Sequence, residues 1–249
     1  MMKPLLEKKI YGDYECTHLL GISSYGAVYL ANHLDDKGEL FALRTLQIHA
    51  KHIDSVIEEC NEYMESLKSI EAPNVIPMVD YGHVHVDEEY YVVMPYVDGV
   101  TLRHLIKQYE KVEIPLPSLG EIYEFAQAIG EALQSLKDVG LVHGAIQPRN
   151  ILLTAKQEVF LADMGLTRLI KILFSLENTG SFFTGRYTAP ELWDGERITL
   201  STDLYSLGCV LYHLVTGRAP FEGKTIFDQM EQHKNAIIQP PHYFREGVP

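Results

Sequence analysis

The chain has 249 residues, of which 46% are hydrophobic and 22% charged, a composition typical of globular proteins. Its 34 acidic residues outnumber its 21 basic ones and give a formal net charge of −13, which argues against a protein that binds nucleic-acid phosphates. Three widely spaced cysteines without a CxxC pair indicate neither a disulfide framework nor a zinc site, and they favour a reducing compartment.

The N-terminal half is predicted to be rich in strands. Its first residues lack the apolar core of a signal peptide, and no apolar run in the chain reaches the roughly 20 residues that cross a bilayer. A cytoplasmic chain without a membrane segment is therefore expected. The predicted strands are YECTHLLG, GAVYLANHL and ELFALRTLQI, followed after a helix at 54–70 by VIPMVDYGHV and EYYVVMPYV.

From residue 99 onward the pattern becomes helical. Ser118 and Glu121 form a predicted capping box at the start of LPSLGEIYEFAQAIGEALQSLKDVG, and Gly140 is a predicted stop. The loop LVHGAIQPRNILL, the segment EVFLADMG and a long irregular stretch to about residue 189 come next. Two further helices are predicted, in STDLYSLGCVLYHLVTG and TIFDQMEQHKN.

This order predicts a single domain over residues 1–249 that is built from two lobes. Residues 1–95 would form a strand-rich lobe, residues 96–99 a connection, and residues 100–249 a helix-rich lobe that is incomplete at its C-terminal end. A binding cleft is expected where the two lobes meet.

The first motif with chemical content is GISSYGAVYL. Glycines at a turn between strands let backbone N–H groups approach phosphates closely, although a glycine-containing hairpin is by itself commonly only a turn. The downstream strand FALRTL adds weight, because Ala42 and Arg44 alternate on it as an apolar wall and a cation would.

These segments, together with APNVIPMVDYG, VVMPYVDG, HGAIQPRN, ADMG, TAPELW and STDLYSLGCVLYHLVTGRAPF, resemble in order and spacing the eukaryotic-type protein kinase family. The likeness is strongest to bacterial serine/threonine kinases and extends from about residue 14 to residue 220. It implies an α+β fold of two lobes, with an antiparallel sheet and one helix in the first lobe and a mainly helical second lobe.

By this resemblance, Gly21, Ser23 and Gly26 occupy the three positions of the phosphate-binding loop, with serine in place of the middle glycine. The family's phosphate-binding lysine corresponds to Arg44, whose fork is larger and differently aimed. The helix glutamate that pairs with that lysine corresponds to Tyr63, and Glu59 lies one turn earlier as a substitute.

The segment HGAIQPRN aligns with the family's catalytic loop, and three of the side chains that act in catalysis there are replaced. Gly144 stands for the arginine that reads activation-loop phosphate, Ala145 for the aspartate that accepts the substrate proton, and Gln147 for the lysine of the same loop. Asn150 and Asp163, which hold metal in the family, are retained. Either they still bind Mg²⁺ or they preserve the loop's architecture, and the two interpretations weigh about equally.

The resemblance also implies a nucleotide pocket. Small residues at two of its positions, Ala42 and Ala162, indicate open space for adenine. The connection between the lobes, which includes Val97, would offer a backbone carbonyl and a backbone amide for hydrogen bonds to the nucleotide. ATP and Mg²⁺ are the implied cofactors. The side chains that would line the pocket are Leu20, Val28, Ala42, Met94, Leu152 and Ala162.

Three functional interpretations remain open. The preferred one is a pseudokinase that binds a protein partner, gated by nucleotide. The second is a serine/threonine kinase or nucleotidyl transferase with unorthodox catalytic groups, which an acid replacing Ala145 would support. The third is a structural module with an empty cleft. Whether the chain is an enzyme therefore stays undecided, with the balance against activity.

Two minor features complete the analysis. His83 and His85 alternate on a predicted strand, where a surface or packing role is favoured over metal binding. Phosphorylation sites are predicted at Ser175, Thr179, Ser181 and Thr184, and ordering by phosphate would require a cation such as Arg168 or Arg186.

Overall fold

The computed structural model describes residues 3–36, 38–49, 53–68, 70–174 and 185–248. The four predicted phosphorylation sites lie outside these residues. Contacts between residues divide the chain into two compact units. The first comprises Met1–Glu71, Ile76–Asp98 and Leu166–Glu177, and the second comprises Ala72–Val75, Gly99–Gly165 and Asn178–Pro249.

The first unit is built on an antiparallel sheet with strand order β1-β2-β3-β4-β6-β5. The strand β1 was not predicted, and the last part of VIPMVDYGHV alone forms β5. The strands are β1 (Lys3–Tyr11), β2 (Tyr14–Ser23), β3 (Gly26–His33), β4 (Leu40–Gln47), β5 (Asp80–Val84) and β6 (Glu89–Pro95).

One face of this sheet carries a core rich in tyrosine. Tyr11, Tyr14, Tyr29 and Tyr91 are buried with aliphatic neighbours, and the Tyr11 hydroxyl donates to Glu89 Oε2 at 2.6 Å. This bond gives a buried carboxylate a partner, which a charge in an apolar layer requires. The core fixes which side chains of each strand point to the opposite face.

Among the described residues, the first unit also contains two helices. The helix α1 (Ile53–Lys68) buries Ile57, Cys60, Met64 and Leu67 at spacings of three and four, which confirms the predicted amphipathic helix. The helix α4 (Leu166–Leu173) packs against α1. It lies in a stretch that was predicted to be irregular, so that prediction is wrong: Leu169, Ile170 and Leu173 form an apolar stripe at helical spacing that α1 covers.

The second unit is mainly helical. A small sheet of β7 (Gly99–Thr101), β8 (Ile151–Thr154) and β9 (Val159–Leu161) accompanies α2 (Leu102–Glu110), α3 (Leu119–Asp138), α5 (Pro190–Trp193), α6 (Leu200–Thr216) and α7 (Ile226–Asn235). The predicted capping box of α3 is confirmed, since the Ser118 and Glu121 side chains each accept from the other residue's backbone N–H. In the described residues, no helix is both long and apolar enough to cross a membrane.

Candidate functional site

The loop at residues 143–150 is held by a buried carboxylate from α6. Asp203 accepts the backbone N–H of His143 at 2.7 Å through Oδ2 and that of Gly144 at 2.8 Å through Oδ1. Gly144 has a φ of 72°, a left-handed conformation that glycine adopts without steric cost. The replacement of the family's arginine by glycine therefore suits the backbone that this loop requires.

Two further hydrogen bonds close the loop. The Ala145 N–H donates to His143 Nδ1 at 3.3 Å, and the Asn150 side-chain amide donates to the Ala145 carbonyl at 2.9 Å. The side chains of His143 and Asn150 are each about 1% exposed. The loop conformation thus depends on backbone groups at position 145, which any residue supplies, and not on its side chain.

Burial shifts the pKa of the charged groups in this network. Burial raises the pKa of Asp203 to about 6, against the opposing effect of the two N–H groups that it accepts. Burial lowers the pKa of His143 to about 4, although the nearby charge of Asp163 acts in the other direction. His143 is therefore neutral near pH 7.

Ala145 itself brings no chemistry to the position of the catalytic base. Its side chain is a methyl group, 8% exposed, and it has no atom that accepts a proton. Gln147, at the position of the family's lysine, is half-buried and carries no charge. The backbone hydrogen bonds of the catalytic loop are present. The two side chains that would accept the substrate proton and contact the transferred phosphoryl group are absent.

Asn150 and Asp163 bring oxygen atoms to the same unit. Asp163 is 7% exposed and has a φ of 66°, a conformation that costs a non-glycine residue energy and is found most often at functional sites. The Ala162 N–H donates to the Asn150 carbonyl at 2.8 Å, and the Gly165 N–H donates to the His143 carbonyl at 3.3 Å, so the loop and the Asp163 segment are joined. Because the Asn150 amide nitrogen bonds to Ala145, its amide oxygen is the atom that can be offered to a cation.

In the first unit, the turn between β2 and β3 is closed by hydroxyl groups. Ser23 Oγ donates to the Gly26 carbonyl at 3.2 Å and accepts the Tyr25 N–H at 3.3 Å. The Ala27 N–H donates to the hydroxyl of Thr45, a fully buried side chain, at 3.2 Å. Two N–H groups of this turn therefore already have partners within the protein.

Gly26 is required by the geometry of this turn. Its φ is 153°, and a Cβ atom there would collide with the Thr45 backbone carbonyl. The position of Ser23 has no such constraint, and its hydroxyl does what a glycine could not, since it bonds to both sides of the turn.

The structure places several predicted pocket residues on one face of the sheet. Val28 is paired with Arg44, and Ala42 with Met94, across neighbouring strands, and directly paired residues share a face. This face is opposite the tyrosine-rich core. Leu20 lies at a bulge of β2, Val97 lies beyond β6, and Leu152 and Ala162 belong to the second unit.

Tyr63 of α1 contacts a cation, and the sequence analysis did not predict this contact. The Arg168 guanidinium lies 4.5 Å from the centre of the Tyr63 ring, while Glu59 is exposed. A guanidinium over a tyrosine face is a favourable cation–π contact. The signal that could have revealed it was the apolar spacing of α4, which brings Arg168 to α1.

The end of α4 also contacts the turn. Phe174 lies edge-on to Tyr25, with ring centres 5.7 Å apart, and its ring is 4.6 Å from that of His49. The His49 N–H donates to the Leu173 carbonyl at 3.1 Å. Within the first unit, the segment after Asp163-Met164-Gly165 is therefore packed as a helix between α1 and the turn that contains Ser23.

Both cations considered for phosphate ordering have other contacts. Arg168 lies over Tyr63, and Arg186 forms an ion pair with Glu110 at 3.2 Å. Among the described residues, no group of three or more histidine, cysteine, aspartate or glutamate side chains is arranged to hold a metal ion.

Comparison with known proteins agrees with this arrangement. The family described as "Protein kinase domain" matches residues 14–245. A probable serine/threonine-protein kinase of Streptomyces coelicolor is 31% identical over 95% of this chain and 35% of its own length. The serine/threonine-protein kinase PrkC of Bacillus subtilis is 28% identical over 98% of this chain and 37% of its own length. The chain thus spans about a third of the length of these curated relatives.

Among solved structures, the PknI kinase domain of Mycobacterium tuberculosis has a TM-score of 0.69 at 24% identity, over 97% of this chain and 84% of that one. This likeness confirms the predicted α+β kinase fold. With the family match over residues 14–245, it leads to one conclusion: the chain belongs to the protein kinase domain family.

Proposed function

We propose that this chain is a pseudokinase, a domain with the protein kinase fold that binds a protein partner and does not transfer phosphate. The observation that carries the proposal is Ala145, a buried methyl group where the catalytic base would stand. Loss of a positioned base typically reduces a rate by roughly 10²–10⁴, and the uncharged Gln147 removes a second working group.

The retained frame is consistent with this function. Asp203, His143 and Asn150 all bond to backbone groups of the loop, so they are needed for folding whether or not a proton is abstracted. Selection for a stable second unit would preserve them. Selection for phosphoryl transfer would also have preserved the side chains at 145 and 147.

Nucleotide gating is the finer part of the proposal. Asn150 and Asp163 provide the hard oxygen atoms that Mg²⁺ prefers, and the face with Val28, Ala42, Arg44 and Met94 would receive the nucleotide. ATP with Mg²⁺ would bring the phosphoryl group that active members of the family transfer. The occupied N–H groups beside Ser23 predict weaker phosphate binding than a loop with three glycines would give.

The proposed compartment is the cytoplasm. Cys16, Cys60 and Cys209 are all free thiols and all buried, and burial raises the pKa of each to about 12. Buried thiols that form no disulfide are usual in proteins of reducing compartments.

A phosphotransfer assay tests the loss of activity. Wild type, Asp163→Ala and the double variant Ala145→Asp/Gln147→Lys are incubated with labelled ATP, Mg²⁺ and a general protein substrate. We expect wild type to label the substrate no faster than Asp163→Ala. Sustained labelling by wild type that Asp163→Ala abolishes would overturn the proposal, and so would a wild type that labels the substrate as fast as a measurably active double variant.

A working kinase with displaced groups is the second candidate. It is favoured by the left-handed backbone conformation of Asp163, because this conformation costs free energy and a purely structural segment has little reason to retain it. It is also favoured by the relatives, which are named as serine/threonine-protein kinases. The phosphotransfer assay separates the two candidates, because only this one predicts labelling that depends on Asp163.

Thermal unfolding with ATP, in Mg²⁺ or in EDTA, tests the nucleotide part separately. A ligand at about 100 Kd that binds only the folded chain raises the free energy of unfolding by about 2.7 kcal/mol. We expect a shift that needs Mg²⁺ and is lost in Asp163→Ala. The absence of a shift at millimolar ATP would leave a scaffold without a nucleotide ligand.

A further inference from the structure

His83 and His85 form a close pair at the end of β5. Their Nε2 atoms are 2.8 Å apart, their ring centres are 4.2 Å apart, and the two ring planes are nearly perpendicular at 84°. His83 is half-buried and His85 is exposed, so the pair is open to solvent on one side. The strand β5 is an edge of the six-stranded sheet.

The separation of the two nitrogens matches that of neighbouring ligands on one metal ion. Two imidazole nitrogens about 2.1 Å from an ion and about 85° apart would lie about 2.8 Å from each other. A tetrahedral angle would place them about 3.4 Å apart. The 2.8 Å separation is compatible with ligand positions about 90° apart, as in square or octahedral geometry, and Cu²⁺ and Ni²⁺ are the first-row divalent ions to which imidazole ligands bind most tightly in such arrangements.

The electrostatic surroundings suit a cation. The carboxylate of Asp54, in the first turn of α1, acts on His83 across the contact between α1 and β5. The chain's net charge of −13 also favours a cation, because it raises the concentration of divalent cations near the protein surface.

We propose that His83 and His85 form a two-histidine site for a divalent late transition metal ion, Cu²⁺ or Ni²⁺, with water as the remaining ligands. The competing account is a single N–H···N hydrogen bond between two neutral rings, with no affinity for metal beyond that of isolated histidines. The two accounts differ in whether the second histidine contributes to metal binding, because only a chelate raises affinity through the proximity of its ligands.

The test is a calorimetric titration of untagged chain with Ni²⁺ at pH 7.5, using wild type, His83→Gln, His85→Gln and the double variant. His104→Gln is the matched control, because His104 is exposed on a helix of the other unit. We expect one Ni²⁺ per wild-type chain, at least about tenfold weaker binding in either single variant, and no change in the control.

A second measurement guards against misfolding of the His83 variant. Electron paramagnetic resonance of Cu²⁺-loaded chain should show coupling to two imidazole nitrogens in wild type and to fewer in His85→Gln, whose substitution lies on an exposed turn. Wild type that binds Ni²⁺ no more tightly than the double variant would overturn the proposal, and so would a Cu²⁺ spectrum that His85→Gln leaves unchanged.

Discussion

In the loop at 143–150, buried side chains that match the kinase family hold backbone groups, while the family's ionisable side chains at 144, 145 and 147 are replaced. In the turn at 21–26 and on α1, the replaced residues have acquired new partners: Ser23 bonds across its turn, and Tyr63 contacts Arg168. In the first region the substitutions leave the loop's backbone hydrogen bonds in place, whereas in the second the substituted residues make contacts through their own side chains.

The difference has a physical cause. Asp203 accepts the backbone N–H groups of His143 and Gly144, and these two hydrogen bonds do not require an ionisable side chain at 144, 145 or 147. Residues 23 and 63 contact their neighbours through their own side chains. A change there has to be accommodated by the residues that it meets.

The largest expected effect concerns pH and the second unit. Burial lowers the pKa of His143, His213 and His233 to about 4, while it raises that of Asp203 to about 6. Between pH 6.5 and pH 4.5 the unfolded chain gains protons on three histidines that the folded chain keeps neutral, whereas the folded chain gains one on Asp203. Stability should therefore fall as pH falls, by roughly 1.4 kcal/mol per pH unit for each net proton.

Denaturant unfolding at several pH values measures this slope. His213→Gln should reduce it by about one proton, since the buried His213 ring then no longer contributes. Stability that is constant or rises from pH 6.5 to pH 4.5 would contradict the prediction. As pH falls, amide hydrogen exchange should become faster in the second unit before it does so in the first. This order is expected because the three histidines and Asp203 all lie in the second unit.

Asp203→Ala should have the next largest effect. It leaves the N–H groups of His143 and Gly144 without their acceptor, at a cost of roughly 2–4 kcal/mol in the free energy of unfolding. Asp203→Asn keeps an oxygen acceptor and should cost less. Asp194→Ala removes an exposed carboxylate and serves as the control, with an expected loss below about 1 kcal/mol.

If Asp203→Ala costs no more than Asp194→Ala, the loop does not depend on this network, and the contrast between the two regions fails. Guanidinium unfolding at pH 7.5 provides the comparison, because Asp203 is ionised there in the folded chain.

The smallest effect is expected for the contact between α4 and α1. Arg168→Ala should lower stability by about 0.5–1 kcal/mol, the usual value of a cation–π pair near the surface. Tyr63→Phe keeps the aromatic face and should preserve the contact, while Tyr63→Leu should lose it. A double-mutant cycle with Arg168→Ala and Tyr63→Leu measures the coupling, and additive effects would show that the contact does not stabilise α4.

The sequence by itself determined the kinase fold, the strands β2, β3, β4 and β6, the helix α1, and the capping box of α3, whereas the small sheet of β7, β8 and β9 was not predicted. It also determined the chemistry lost at Ala145 and Gln147, because a residue without an ionisable group lacks it in any conformation. These features follow from local patterns and from the identity of single residues.

Only the tertiary structure decided which partners the substituted residues contact. The strand β1 forms because β2 offers it a sheet edge, and α4 forms because α1 covers its apolar stripe. The contact of Arg168 with Tyr63 joins residues more than one hundred positions apart, and the 2.8 Å approach of His83 to His85 depends on how β5 ends. Such contacts are set by packing between elements, which periodicity along the chain does not encode.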